Sequence, residues 1–170
     1  MSDIFRLMLA QLNPVVGDIT GNIAKAQTAW EAGRNAGADM VALTEMFVTG
    51  YQTQDLILKP AFVAAAMAAI EALAADCADG PALGIGGPWW DGEDLYNAYW
   101  VLQDGRVAAR VLKHHLPNDT VFDEVRLFAS ADVAGPYRVG PIRIGTPICE
   151  DAWHEDVTET LAETGAEILL

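Results

Sequence analysis

The sequence predicts an α/β protein, and three observations carry that reading. Short apolar runs alternate along the chain with segments of helical period, the order expected when strands of one sheet are linked by covering helices. Residues 40–43, Met-Val-Ala-Leu, are apolar without interruption, as a strand buried on both faces requires. Gln103-Asp104-Gly105 separates two strand-like runs with a tight-turn signal.

In chain order, residues 5–11 read as a first strand, ended by Asn13-Pro14 and the loop Val15-Val16-Gly17-Asp18. A helix follows, with Asn22 as its cap, Ile23, Ala26 and Trp30 on one face, and Gly37 as its left-handed stop. The strand at 40–43 delivers Glu45 just past its end. Residues 47–59 lack any periodicity and read as an ordered loop. Pro60 opens a second helix running to Ala78, with Phe62, Ala66, Ile70 and Leu73 on one face and Cys77 near its end as a structural residue.

Residues 82–87, Ala-Leu-Gly-Ile-Gly-Gly, read as a short strand; they lack the third glycine of a dinucleotide fingerprint and the lysine-serine pair of a phosphate loop. Runs 95–102 and 106–112 form the hairpin, and the second arm ends at Lys113. A long acidic connection, 118–136, leads to an apolar run around Ile142, Ile144 and Ile148 that presents Cys149. Trp153, Val157 and Leu161, four apart, mark a helix over 153–163, and 166–170 begins another strand. A strand so close to the last residue suggests a portion of a longer protein, with an uncovered sheet edge if made alone. No repeat or linker divides residues 1–170, so one domain is expected.

Composition narrows the partners. Of the 170 residues 52% are hydrophobic, which excludes disorder, and ten basic against 24 acidic residues give a net charge of −14. Nucleic acid and anionic membrane surfaces would repel such a chain, whereas a small polar substrate remains open. Two distant cysteines form no disulfide framework, the amino terminus lacks a signal-peptide pattern, and the longest apolar run is too short to span a bilayer. A cytoplasmic protein is expected.

Glu45, Lys113 and Cys149 each follow an apolar strand at its carboxyl end, where loops of a common sheet edge build active sites. A carboxylate can take a thiol proton and later activate water, the thiolate can attack a carbonyl, and an ammonium can hold the oxyanion: amide hydrolysis through a thioester. A strand-to-helix corner also favours a thiolate at Cys149. The alternatives are a small buried cysteine, a loop carboxylate and a solvated lysine. No Gly-x-Ser-x-Gly elbow exists, and His114, His115 and His154 lack a metal spacing, so no metal is expected. A papain-like pairing of Cys149 with His115 or His154 ranks below the glutamate-lysine set.

The strings Thr44-Glu45-Met46-Phe47-Val48-Thr49-Gly50-Tyr51, Leu112-Lys113-His114-His115-Leu116-Pro117-Asn118, Val121-Phe122-Asp123-Glu124-Val125-Arg126 and Ile148-Cys149-Glu150-Asp151-Ala152-Trp153 resemble the nitrilase, or carbon-nitrogen hydrolase, superfamily. With Gln11-Leu12-Asn13-Pro14 and Asp55-Leu56-Ile57-Leu58-Lys59-Pro60, they look most like the amino-terminal glutaminase domains of glutamine-dependent NAD synthetases. The resemblance implies a four-layer αββα sandwich, here incomplete on its carboxyl-terminal side. It makes Glu45 the general base, Lys113 the oxyanion stabiliser, Cys149 the nucleophile and Glu124 the carboxylate that orients the lysine. Tyr51 and Trp153 match aromatic positions near the pocket.

The substrate implied is glutamine, whose ammonia would pass to a carboxyl-terminal synthetase domain, absent from this chain, that converts deamido-NAD to NAD. No cofactor is expected in this domain; ATP and magnesium belong to the synthetase domain, and a homo-oligomer is expected. Three positions depart from the pattern. Thr44 stands where proline is usual. Asp119-Thr120 replace Tyr-Gly, and a carboxylate at 119 bordering the pocket would repel the α-carboxylate of glutamine. A stand-alone amidase acting on another amide, or a non-catalytic scaffold with an altered pocket, are the alternatives.

Overall fold

The computed structural model describes residues 4–170. Among the described residues, eight strands and three α-helices follow one another as β1 (Leu7–Leu9), α1 (Ile19–Asn35), β2 (Met40–Ala42), α2 (Pro60–Asp76), β3 (Ala82–Trp90), β4 (Leu95–Gln103), β5 (Arg106–Leu112), β6 (Tyr137–Val139), β7 (Ile142–Gly145), α3 (Glu155–Glu163) and β8 (Ile168–Leu169). Short 3-10 turns occupy Gln54–Leu58 and Cys149–Trp153.

The strands form two sheets. The first has the order β1-β2-β3-β4-β5, parallel through β3 and antiparallel thereafter; the second has the order β6-β7-β8. Alternation along each strand sends side chains to two different cores. Val41, Leu83, Ile85, Trp100 and Leu102 pack on one face against Ala26 and Trp30 of α1 and Ala66, Ile70 and Leu73 of α2. Met40, Ala82, Tyr99, Val101 and Val111 face the other way, onto Tyr137, Val139, Ile144 and Ile148. Beyond the second sheet lies α3: a Cβ on Gly145 would stand 2.9 Å from a methyl of Leu161. The layers are thus helices, sheet, sheet, helix, a mixed α/β sandwich with no closed barrel.

Several local details differ from the sequence reading. Asp18 caps α1, its carboxylate accepting the amide of Gly21 at 2.9 Å. Asn22 lies inside the helix, buried; its side chain accepts from the Val15 amide at 2.8 Å and donates to the carbonyls of Val15 and Val48 at 2.8 and 3.1 Å. The asparagine ties two loops together where a cap had been expected, because Asp18 enters the helix four residues earlier. Gly37 is left-handed as expected, at φ 70°.

The hairpin forms around Asp104 and Gly105, both at positive φ. The irregular segment 47–59 contains a 3-10 turn, and β6 was absent from the sequence reading because Tyr137-Arg138-Val139 is too short to show a period. Trp153 ends a 3-10 turn and is 82% exposed, so only Val157 and Leu161 of the expected face are buried. Cys77 is buried at the end of α2, where lost hydration, then Asp76 and Glu31, push its thiol up to about 12; it is inert at neutral pH. Among the described residues, no helix is long and apolar enough to cross a membrane.

Candidate active site

Glu45 follows β2 and Lys113 follows β5. Both strands point the same way, because β5 is antiparallel to β4 and β4 to β3, while β2 and β3 are parallel. Cys149 follows β7 of the other sheet. The sequence reading had placed all three on one sheet edge; the fold instead brings a carboxylate and a cation from one sheet to a thiol from its neighbour. Glu45 and Cys149 line one cleft of about 230 Å³, together with Thr44, Tyr99, Pro147 and Ile148.

The backbone around Glu45 sits against β3. A Cβ on Gly86 would stand 2.2 Å from the Met46 nitrogen and 2.6 Å from the carbonyl carbon of Glu45, so only glycine lets the two segments meet. The contact is sealed by the Gly86 amide donating to the Thr44 carbonyl and the Val48 amide to the Gly86 carbonyl, at 3.2 and 3.1 Å. Gly84 is filled likewise, by Tyr99 and Met40. The glycines of 82–87 are packing devices and offer no room for a phosphate.

Lys113 is completely buried, and its ammonium lies 2.7 Å from Glu45 Oε1 and 2.9 Å from Glu124 Oε2. Burial by itself would lower its pKa, but Glu45 and then Glu124 outweigh it and hold the group above its ordinary value, so Lys113 is charged. Glu124, also buried, accepts the Tyr51 hydroxyl on Oε1 at 2.6 Å. Burial and Glu124 keep that phenol protonated well above its usual range. Tyr51 therefore contacts the glutamate behind the lysine and stacks on Phe122, at 6.3 Å between ring centroids.

Asn97 on β4, unnoticed in the sequence, donates to Glu45 Oε1 at 2.7 Å. Lys113 bonds the same oxygen, which leaves Oε2 unused by either. The signal that could have found it is a polar residue amid the buried run of β4.

Cys149 takes a left-handed φ of 49°, a conformation that non-glycine residues adopt at a cost, and its side chain is exposed to the cleft. The expected thiolate bias at a helix start is reversed. Desolvation and then Glu45 raise the thiol above its ordinary value, with Lys113 opposing them. The five-residue 3-10 turn carries too little aligned dipole to compensate. A thiol of this kind needs a base.

Asp151, also missed, joins the sheets. Its buried carboxylate accepts the amides of His114 and His115 on Oδ1, at 3.2 and 2.7 Å, and that of Ile148 on Oδ2 at 3.1 Å. It thus fixes the backbone beside Lys113 to the backbone beside Cys149. The three histidines lie together on the outer side: His115 stacks on His154 with centroids 3.7 Å apart, His154 Nε2 lies 3.3 Å from Glu150, and His115 Nε2 lies 3.0 Å from Asp156. Their rings meet carboxylates, each other and, at His114 Nδ1, the Ala131 carbonyl. Asp119 is exposed on a turn whose Phe122 amide bonds its carbonyl, and neither it nor Trp153 lines the cleft.

Residues 6–170 match the family model described as carbon-nitrogen hydrolase, and the chain belongs to that family. It is 64% identical over 170 residues to the glutamine-dependent NAD(+) synthetase of Rhodobacter capsulatus, covering 100% of this chain and 31% of that protein. The corresponding synthetase of Thermotoga maritima is 35% identical over 149 residues, covering 88% and 26%. Among solved structures, the glutamine-dependent NAD+ synthetase of Acinetobacter baumannii superposes with a TM-score of 0.91 at 28% identity, over 97% of this chain and 31% of that one. An amidase from Nesterenkonia sp. shares the fold, with a TM-score of 0.81 at 20% identity over 97% and 63%. The chain spans 31% and 26% of the length of the two curated relatives.

Proposed function

We propose that this chain is the glutaminase portion of a glutamine-dependent NAD synthetase. The observation that carries the reading is the cluster of buried Lys113 and Glu124 with half-buried Glu45, which opens on the cleft that holds Cys149, in a chain 64% identical to such a synthetase. Glu45 Oε2 takes the thiol proton, and the thiolate of Cys149 attacks the amide carbonyl of glutamine. Lys113 holds the oxyanion, with Glu124 and Asn97 fixing lysine and glutamate in register. The carbon-nitrogen bond breaks as Glu45 returns the proton to the leaving nitrogen, and ammonia departs. Water, deprotonated by Glu45, then cleaves the thioester to give glutamate.

A thiol held protonated suits this order, because base and nucleophile then form a pair only when proton transfer is coupled to attack. The ammonia would serve a synthetase domain in the longer protein, which would use ATP and magnesium to turn deamido-NAD into NAD. The same reading carries a cytoplasmic location, where Cys149 stays reduced.

The test is Cys149→Ala in the full-length protein. Glutamate release and glutamine-dependent NAD formation should disappear while ammonia-dependent formation persists. Loss of both would make Cys149 a structural residue and defeat the reading.

A further inference from the structure

The histidines beside Lys113 form a second constellation that the proposed hydrolysis does not use. Ligand atoms of His114, His115 and Asp156 all lie within 4.8 Å of one another. His115 Nε2 is 3.0 Å from Asp156 Oδ1 and Oδ2, and His114 Nε2 is 3.7 Å from Oδ2. A tetrahedral ion with bonds of about 2.0–2.1 Å holds its donor atoms about 3.3 Å apart, a value that the two histidine-to-aspartate distances, 3.0 and 3.7 Å, bracket.

The orientation suits a metal as well as the spacing does. His114 Nδ1 faces the carbonyl of Ala131, which can only accept, so the proton resides on Nδ1 and the lone pair of the neutral ring lies on Nε2, toward Asp156. His115 is held flat by the stacked ring of His154. Both backbones are pinned by Asp151, so the rings are placed before any ion arrives. The chain's net charge of −14 raises the local concentration of cations.

We propose that His114, His115 and Asp156 bind a divalent transition-metal ion of the zinc class, with two imidazoles, one carboxylate and a position open to water. The site lies outside the cleft, since none of the three residues lines it. An ion there would cross-link the segment carrying Lys113 to α3.

The test uses full-length protein carrying Cys149→Ala, so that the thiol contributes no ligand, stripped with chelator and titrated with Co2+ while visible absorption is followed. One equivalent of saturable uptake should give the intense bands of a tetrahedral site and be displaced by Zn2+. Adding His115→Ala, or separately Asp156→Asn, should remove that equivalent or weaken it by at least the roughly 10–100-fold that loss of an outer-shell partner costs. Uptake unchanged by either substitution, or no saturable uptake in the Cys149→Ala protein, would overturn the proposal. Asp156 is exposed, so the second variant tests the site without disturbing a core.

Discussion

Lys113 and His114 are consecutive residues in opposite surroundings. Lys113 turns inward, fully buried between two carboxylates, while the His114 side chain is 30% exposed and shares an outer carboxylate with its neighbour. An extended backbone sends successive side chains to opposite sides, so one short segment serves two clusters. The difference lies in what each costs to break. A buried charge that loses its partner has no solvent to turn to, whereas an exposed pair exchanges one hydration for another.

The largest break should come at the inward end. Lys113→Met leaves Glu45 and Glu124 facing each other and should lower stability by about 3–5 kcal/mol in urea melts. Glutamate release should fall by roughly 10²–10³-fold, the loss typical of an oxyanion donor. The contribution of the raised lysine pKa is fully present below its ordinary 10.5 and disappears as pH rises through the folded value, so the wild-type margin over Lys113→Met should shrink only in strongly alkaline solution.

Asp151→Asn tests the junction between the two clusters. It keeps the shape but presents an amide where backbone donors converge, and should cost about 1–3 kcal/mol. Because the residue positions Cys149 and Lys113 without touching substrate, kcat should fall while KM for glutamine changes little.

A subtler contrast can be read from the thiol. Since burial and Glu45 raise Cys149 above its ordinary value of 9.0, alkylation by iodoacetamide should climb with pH in the alkaline range. Lys113 opposes that shift, so Lys113→Met should move the limb to higher pH, and Glu45→Gln, which removes a negative neighbour, to lower pH. Movement of both limbs in one direction would contradict the charge arrangement.

The smallest effects belong to the outer side. In metal-free protein, His115→Ala should leave melting temperature and glutamate release unchanged. Asp119→Tyr should leave KM for glutamine where it is, because the carboxylate points into solvent and its repulsion is screened; a lower KM would bring position 119 back to the pocket.

Local pattern made part of this legible. The buried run at 40–43, the Asp104-Gly105 turn and Pro60 at the start of α2 are signals contained in a few residues, and the corresponding elements stand where they were expected. What escaped is nonlocal. Gly86 matters only because the Glu45 backbone crosses it, Asn97 only because a carboxylate arrives from 52 residues away, and the histidine cluster only because Asp156 returns across 41 residues. Spacing rules for metals and dipoles assume neighbours in sequence; here the fold supplies them. The thiol was misjudged for the same reason, since a turn's dipole is local and the opposing Glu45 is distant.

Because Glu45 and Cys149 are carried by different sheets, their meeting in one cleft is a property of the docked sandwich and of neither half. On the proposed hydrolysis, neither sheet alone would carry both groups that the reaction needs. The Asp151 carboxylate, bonded to amides on both sides, holds that juxtaposition in place. On that reading, a change that lets the sheets part would end ammonia release even where each sheet keeps its own ladder of hydrogen bonds.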